Sequence, residues 1–283
     1  MSHTRRIARY YAWLDHLAQL HAMRSETGCQ AQPIHRALRD PAGGPPSPTV
    51  IHRLILDAVP LPANPRILDA GCGYGATAFD LQPITGGTWF GVTLSPVQVR
   101  RATEDAERRA LSGQLRFAVQ SYDEPLPGPF DLAIAIESLI HSADPAASIA
   151  SIVSHLAPGG HIAIVDDMPE PPLSPEDEAD LTLFKRMWRC PVAPPAPAWR
   201  DALASAGLTL VADRDLTPLI LLGTEDELRA IRARQQRRAF WLGLVGGGLR
   251  EQADIGGRTL ELLQLRGAVK YRLLVARKEW GRE

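Results

Sequence analysis

Three glycines at alternate positions, Gly71, Gly73 and Gly75, follow a short apolar run in the segment PRILDAGCGYG, residues 65–75. Glycine lets the backbone approach a ligand closely and adopts positive φ angles that other residues avoid. A strand, a glycine turn and a helix together direct backbone N–H groups and the positive helix end at a bound molecule. The segment therefore predicts a site for a cofactor or a phosphate group.

A dinucleotide is one candidate for this turn, because residues 71–76 also satisfy the pattern G-x-G-x-x-A. Nicotinamide enzymes, however, require an acidic residue at the end of the second strand, where it binds the ribose hydroxyls. That position holds Thr93, within the stretch GVTLS. The NAD interpretation therefore lacks its second support.

A second set of reactive side chains lies in the segment IESLIHSAD, residues 136–144, which contains Glu137 and His141. The apolar run at residues 130–137 predicts a buried strand, and catalytic groups of parallel sheets lie where the strands end. A carboxylate and an imidazole at this edge are residue types that could serve as an acid/base pair. A structural role, with His141 capping a helix, stays open.

The elements that position these residues alternate between strands and helices. Helical patterns occur at residues 49–59 and 96–111, and another covers residues 224–267. Strand-length apolar runs occur at 66–70, 89–94, 115–120, 130–137, 161–167, 208–216 and 269–277. This alternation predicts βαβ units in an α/β sheet of seven strands, mostly parallel with a reversed edge strand.

We expect four regions along the chain. Residues 1–47 hold an N-terminal helical pattern and a Gly- and Pro-rich linker, and residues 48–223 form the core. Residues 224–267 form a helical insertion, longer than an ordinary crossover, that is a candidate cap over the site. Residues 268–283 return to the core as its last strand.

Composition argues against several classes of protein. The 283 residues carry 31 Lys and Arg against 32 Asp and Glu, so no overall charge attracts nucleic acid or anionic lipid. No apolar run approaches the roughly 20 residues of a membrane span, and no signal-peptide core is visible. The three cysteines are scattered and the histidines form no metal pair. We expect a cytoplasmic protein without metal or nucleic acid, and a homodimer stays open.

Three motifs in order resemble the Rossmann-like, class I methyltransferases that depend on S-adenosylmethionine (SAM). LDAGCGYG resembles the family's first motif, PFDLAIAIESLIH its fourth-strand motif, and LAPGGHIAIVDD its turn into the fifth strand. The motifs cover roughly residues 50–170, and the terminal YRLLVARK resembles the family's last strand. The resemblance implies SAM as methyl donor and S-adenosylhomocysteine (SAH) as product.

The resemblance also implies which residues hold SAM. The first motif would line the methionine end of SAM. The stretch GVTLSPVQ is similar to cyclopropane fatty acid synthases and tocopherol methyltransferases, and it would line the ribose side. The stretch SYDE matches the position near the adenine, although its Asp123 is displaced and a loop role for it stays open. The implied cofactor residues are Asp69, Gly71, Cys72, Gly73, Gly75, Thr93, Leu94, Gln98, Ser121, Tyr122 and Glu137.

The acceptor side resembles two branches of the family. Residues 136–144 are similar to the I-E-x-x-x-H-x-x-D stretch of sterol C-methyltransferases and to the corresponding tocopherol stretch, which implies Glu137 and His141 as catalytic residues. Cyclopropane synthases place a glutamate directly before the histidine, where this chain has Ile140. Asp166 and Asp167 end the fifth strand and also face this edge, although a capping or loop role is equally open.

Aromatic rings and arginines are further candidates for the acceptor site. Tyr10, Tyr11 and Trp188 are expected to bind the acceptor, since ring faces attract a carbocation. Trp13 and Phe184 are further available rings, and a role in the core stays open for each of the five. Five arginines between residues 229 and 238 form either a solvated surface or a site for an anionic group. We expect methyl transfer to a small, mainly apolar acceptor, isoprenoid-like or another specialised metabolite, with C-methylation ahead of O- or N-methylation. A SAM-binding cyclase or another non-methylating protein of this fold is the alternative.

Overall fold

The computed structural model describes residues 35–244 and 248–279, which form seven strands and eight helices. The strands are β1 (Arg66–Ala70), β2 (Thr88–Thr93), β3 (Leu115–Val119), β4 (Phe130–Ile136), β5 (Leu156–Pro169), β6 (Leu208–Asp215) and β7 (Val269–Lys278). The helices are α1 (Thr49–Leu56), α2 (Ala76–Thr85), α3 (Pro96–Arg108), α4 (Pro145–Ser154), α5 (Pro175–Trp188), α6 (Ala196–Ser205), α7 (Glu225–Leu244) and α8 (Leu249–Leu265).

All seven strands form one sheet in the order β3-β2-β1-β4-β5-β7-β6. The five strands from β3 to β5 are parallel to their neighbours, whereas β7 pairs antiparallel with both β5 and β6. The predicted seven-stranded, mostly parallel sheet with a reversed strand at one side is confirmed. The reversed strand β7 is inserted between β5 and the edge strand β6.

Helices on both faces explain why the central strands are nearly continuous apolar runs. Parallel sheets bury both faces, so successive side chains of a strand all lie in a core. Ile67 and Leu68 of β1 point to opposite faces and both are fully buried. No helix in the described residues is long and apolar enough to cross a membrane.

The chain before α1 closes onto the end of the sheet where the strands finish. Leu38 forms an isolated antiparallel bridge with Ser47, and the Arg39 N–H donates to the Leu219 carbonyl at 2.7 Å. These contacts hold His35 and Arg36 above the ends of the central strands. The predicted N-terminal helix, which holds Tyr10 and Tyr11, lies outside the described residues.

Helices α7 and α8 form a hairpin within the predicted insertion. Ion pairs join the hairpin to α5: Arg232 lies 2.7 Å from Asp180, and Arg229 2.7 Å from Glu176. Arg266, directly after α8, contacts Asp180 as well, also at 2.7 Å. The first arginines of the predicted basic group therefore bind the protein itself, which favours a structural role for them over an anion site.

Candidate functional site

A cavity of about 660 Å³ opens at the carboxyl ends of β1, β2, β4 and β5. Its walls come from the glycine turn, the start of α3, the loop after β4, and residues of α5 and α8. Parallel α/β sheets bind ligands at this edge because loops that follow neighbouring strands separate there and leave a crevice. All the predicted cofactor residues except Gly75 line the cavity.

The glycine turn is shaped first by contacts within the protein. Gly71 has a φ of +94°, and a Cβ added there would lie 2.4 Å from the Ser138 Cβ. Gly75, at a φ of +79°, faces the Phe117 ring rather than the cavity. The N–H groups of Gly71 and Cys72 both donate to the Val92 carbonyl at 2.9 Å. At Gly71 and Gly75, therefore, the space that a side chain would occupy is already taken by protein atoms.

Replacing Gly71 by Ala is expected to lower the free energy of unfolding by at least about 2 kcal/mol. The positive φ angle is unfavourable for alanine, and the new methyl group would displace Ser138. Gly113→Ala is the matched control, since no atom lies within 4 Å of its added Cβ. Denaturant unfolding of both variants measures the difference, and equal stabilities would contradict this account.

Asp69, at the end of β1, is the least satisfied polar group of the cavity wall. It is 4% exposed, its Oδ2 has no hydrogen-bond partner among the described residues, and burial raises its pKa to about 7. A buried carboxylate of this kind is stabilised by a ligand that brings a charged N–H donor. The α-ammonium group of SAM is such a donor, so the residues present fit the methionine end of SAM.

The neighbouring strand end supplies polar groups for a ribose. Thr93 Oγ1 donates to Gln98 Oε1 at 2.7 Å, and Ser95 caps α3 by accepting from the Gln98 N–H at 3.3 Å. This pairing places both predicted side chains, together with Leu94, on the cavity wall.

The loop after β3 forms the far end of the same wall. Tyr122 donates to the Ser138 carbonyl at 3.2 Å, and Ser121 donates to Asp123 at 3.1 Å. Asp123 also accepts from Ser148 at 2.6 Å, so it is tied to α4 while it lines the cavity. The predicted adenine-side residues are therefore brought together, with Asp123 among them.

Glu137 directly follows β4 in an unusual backbone conformation. Its φ of +50° lies in the left-handed region, which non-glycine residues rarely adopt outside functional sites and turns. Its Oε1 accepts from Tyr271 Oη at 2.8 Å and from Arg36 Nε at 3.1 Å. Because these bonds use one oxygen, Oε2 is the carboxylate oxygen left for the cavity, which Glu137 lines.

One guanidinium joins the ends of two strands. Besides Glu137, Arg36 binds Asp167 Oδ2 at 2.9 Å, and its guanidinium carbon lies 4.5 Å from the centre of the Tyr271 ring. Gln264 of α8 donates to Asp167 Oδ1 at 2.6 Å. Burial raises the pKa of Asp167 to about 6, although Arg36 opposes the shift. The sequence patterns missed Arg36, Tyr271 and Gln264, because each meets its partner from about a hundred residues away.

Asp166 lies deeper in the protein than its neighbour Asp167 and is 1% exposed. Its carboxylate accepts from the backbone N–H groups of Ile140 at 3.0 Å and Asp167 at 3.2 Å. Burial, followed by the charges of Asp167 and Glu137, raises its pKa well above the ordinary range. The corner formed by Glu137, Asp166 and Asp167 therefore holds three carboxyl groups at the cavity wall, and the pKa values of Asp166 and Asp167 are raised, which suits it to proton transfer.

The loop after β4 brings His141 to the cavity wall opposite α5. His141 ends a short 3-10 turn, and its Nδ1 lies 3.9 Å from the Sγ of Cys190. Trp188 also lines the cavity and donates through Nε1 to the Ala253 carbonyl at 2.9 Å, whereas Phe184 is buried behind it. One of the two predicted α5 rings thus reaches the cavity.

Known proteins match both the core and the fold. A model of a methyltransferase domain matches residues 67–160, from β1 to the first residues of β5. The chain is 38% identical over 102 residues to a tocopherol O-methyltransferase of Arabidopsis thaliana, covering 35% of this chain and 29% of that protein. It is 34% identical over 104 residues to a sterol 24-C-methyltransferase of Gibberella zeae, covering 36% of this chain and 27% of that protein. The chain thus spans less than a third of the length of these relatives.

A longer match links the chain to an O-methyltransferase, rstn1, of Aspergillus nomiae, with 30% identity over 158 residues, 53% of this chain and 67% of that protein. Among solved structures, a geranyl diphosphate methyltransferase superposes with a TM-score of 0.71 at 17% identity, covering 98% of this chain and 100% of that one.

The [4+2]-cyclase SpnF superposes with a TM-score of 0.67 at 22% identity, covering 89% of each chain. At these identities the two structures establish the fold alone. Together with the methyltransferase-domain match and the rstn1 alignment, they show that the chain belongs to the Rossmann-like, class I family of SAM-dependent methyltransferases.

Proposed function

We propose that this protein transfers the methyl group of SAM to a small, mainly apolar acceptor, with carbon as the favoured accepting atom. The observation that carries the proposal is the position of Glu137 beside the cavity. One carboxylate oxygen is bound by Tyr271 and Arg36, and the other is left to act as a base.

The donor would lie along the first half of the cavity. Asp69 and the glycine turn would bind the amino acid end, while Thr93, Gln98 and the loop at Ser121 would contact the nucleoside. Bound SAM supplies an electrophilic methyl group on a sulfonium. These residues would hold the donor in line with the acceptor and exclude water, which are the main contributions an enzyme makes to such a displacement.

The other half of the cavity suits an apolar acceptor. Ile140, Trp188 and Ala253 line it, whereas Glu137 and Asp167 form its polar corner. An alkene carbon that gains a methyl group leaves a positive charge on its neighbour. The carboxylates would stabilise that charge, and Glu137 Oε2 would then take a proton from the acceptor so that the double bond reforms.

O-methylation is the second candidate, supported by the two O-methyltransferase relatives. A hydroxyl acceptor would give its proton to the same base during the displacement. The base is therefore required by both reactions, and the position of the new methyl group is what separates them.

The experiment is incubation of the protein with SAM labelled in its methyl carbon and a panel of matched acceptors. The panel contains isoprenoid alkenes, the corresponding saturated alcohols, phenols and amines. We expect a labelled product, formed from the alkenes, whose NMR spectrum shows a new carbon–carbon bond. Labelled ethers would support O-methylation instead.

A protein that binds SAM yet yields no labelled product, from the panel or from cell extracts, would contradict methyl transfer. That result would favour a non-methylating member of the fold, such as a cyclase. Gly113→Ala serves as the control variant, because its exposed site lies outside the cavity wall.

A further inference from the structure

A buried chain of three side chains connects the protein surface with the cavity. Asp80 of α2 is 42% exposed, and its Oδ2 lies 2.9 Å from His52 Nδ1. His52 of α1 is 1% exposed, and its Nε2 lies 3.1 Å from His35 Nε2. His35 lines the cavity. None of these contacts is needed by the acid/base chemistry proposed above.

The order of the groups decides where their protons lie. An ionised Asp80 can only accept, so His52 must carry its proton on Nδ1 and leaves a lone pair on Nε2. His35 must therefore donate from its own Nε2. A neutral imidazole has one N–H, so His35 Nδ1 is left as an acceptor. An exposed carboxylate thus sets the tautomer of a cavity residue through a second imidazole, as the aspartate of a catalytic triad does for its histidine.

The surroundings of His35 Nδ1 call for a donor. It faces the Arg36 carbonyl oxygen at 3.4 Å, which can only accept, so in this tautomer the contact is not a hydrogen bond. Burial lowers the pKa of His35, against the opposing charges of Glu137 and Asp80, so the ring is neutral near pH 7. Two acceptors side by side are satisfied by one group with several N–H bonds, and an ammonium group has three.

A second observation points to the same ligand. The buried Oδ2 of Asp69 has no partner among the described residues and lies on the wall of the same cavity. Asp80, which starts the chain, belongs to the helix that follows the glycine turn after Asp69. The two acceptors, His35 Nδ1 and Asp69 Oδ2, therefore belong to residues that line one cavity, and the chain that sets the His35 tautomer starts from the helix directly after the glycine turn.

We propose that His35 Nδ1, kept as an acceptor by His52 and Asp80, binds the α-ammonium group of SAM and SAH together with Asp69. The inference rests on the proposed function only in taking SAM as the donor. Asp80 then contributes to donor binding from the surface, without touching the donor itself.

The test uses two ligands and one surface substitution. SAH carries the amino acid end, whereas 5′-methylthioadenosine lacks it. The amide of Asp80→Asn can present either its oxygen or its NH2 group to His52 Nδ1. The NH2 orientation is favoured, because it turns both imidazoles around and lets His35 Nδ1–H donate to the Arg36 carbonyl. We expect calorimetry to show SAH binding about tenfold weaker and 5′-methylthioadenosine binding unchanged.

His35→Phe should weaken SAH binding by at least the same factor. Asp57→Asn, which removes an exposed charge directly after α1, is the matched control and should change neither ligand. Nitrogen NMR of the imidazoles provides a readout independent of affinity. The proton of His35 is expected on Nε2 in the wild type and on Nδ1 in Asp80→Asn.

The outcomes separate the two proposals. A wild-type protein that binds neither ligand would overturn the proposed function and this inference together. If both ligands bind and Asp80→Asn weakens them equally or not at all, only the role of the His35 chain is wrong. A rise in the His35 pKa when SAH binds would also overturn it, because an ammonium donor must lower that pKa.

Discussion

Glu137→Gln is expected to reduce the rate of methyl transfer by about 10²- to 10⁴-fold, the usual contribution of a positioned base. Glutamine keeps an oxygen that can accept from Tyr271 and Arg36 but has no carboxylate to take the acceptor's proton. Glutamine also keeps the size and a polar end of the side chain at the cavity wall, so any contact of this residue with the cofactor is largely preserved while the base is removed. SAH affinity should therefore change by less than about threefold, and kcat should carry the loss.

Tyr271→Phe is the companion variant for this prediction. It removes the hydroxyl that holds Glu137 Oε1 but keeps the ring beneath Arg36, so kcat should fall about tenfold with SAH binding retained. Transfer rates measured at saturating SAM test both variants. If Glu137→Gln turns over at the wild-type rate, the base must be another group at the cavity wall, and His141 is the next candidate.

Asp69→Asn is expected to weaken SAH binding by about 10- to 100-fold and, at the same time, to stabilise the ligand-free protein at alkaline pH. A charge-assisted hydrogen bond to the ammonium group accounts for the first effect. Burial, which raises the pKa of Asp69 from 3.8 to about 7, accounts for the second. Calorimetry with SAH and denaturant unfolding at pH 5 and pH 8 measure the two effects.

The direction of the change in stability follows from the raised pKa of Asp69. The folded protein holds the Asp69 proton more tightly than the unfolded chain, so its free energy of unfolding decreases as pH rises from about 4 to about 7. For a pKa raised by about three units, the free energy of unfolding decreases by up to about 4 kcal/mol. Asp69→Asn has no carboxyl group at this position, so it should not show this decrease. Asp57→Asn, an exposed control, should not alter the pH dependence. A variant with the wild-type pH dependence would contradict the assigned cause.

Most of the fold could be predicted from local pattern. The strand-length apolar runs and the helical pattern after Thr93 match β1 to β4 and α3 within a few residues. The long strand β5 was predicted from residue 161 but begins at Leu156, because Phe130 of β4 pairs with Leu156 before a shift in register. Such an extension depends on a neighbouring strand, so the segment's own residues do not indicate it.

The two halves of the site differ in how much of each could be predicted from the sequence pattern. Asp69, the glycine turn and Thr93 follow consecutive strands, and parallel pairing brings strand ends together without further information. The environment of Glu137 depends instead on Arg36 and Tyr271, which are 101 and 134 residues away along the chain. Arg36 belongs to no motif, and Tyr271 opens the YRLLVARK stretch without any local sign that it meets Glu137.

The methyl donor can be inferred from the sequence alone, because a strand, a glycine turn and a helix form a continuous stretch whose spacing is characteristic of the family. The sequence also predicts Glu137 and His141 at the edge of the sheet where the cavity opens. The folded chain adds which Glu137 oxygen is left for the cavity, and that His35 lies at the end of a chain from Asp80. These features depend on side chains from distant segments meeting at hydrogen-bond distance, and that distance is set by packing rather than by spacing along the chain.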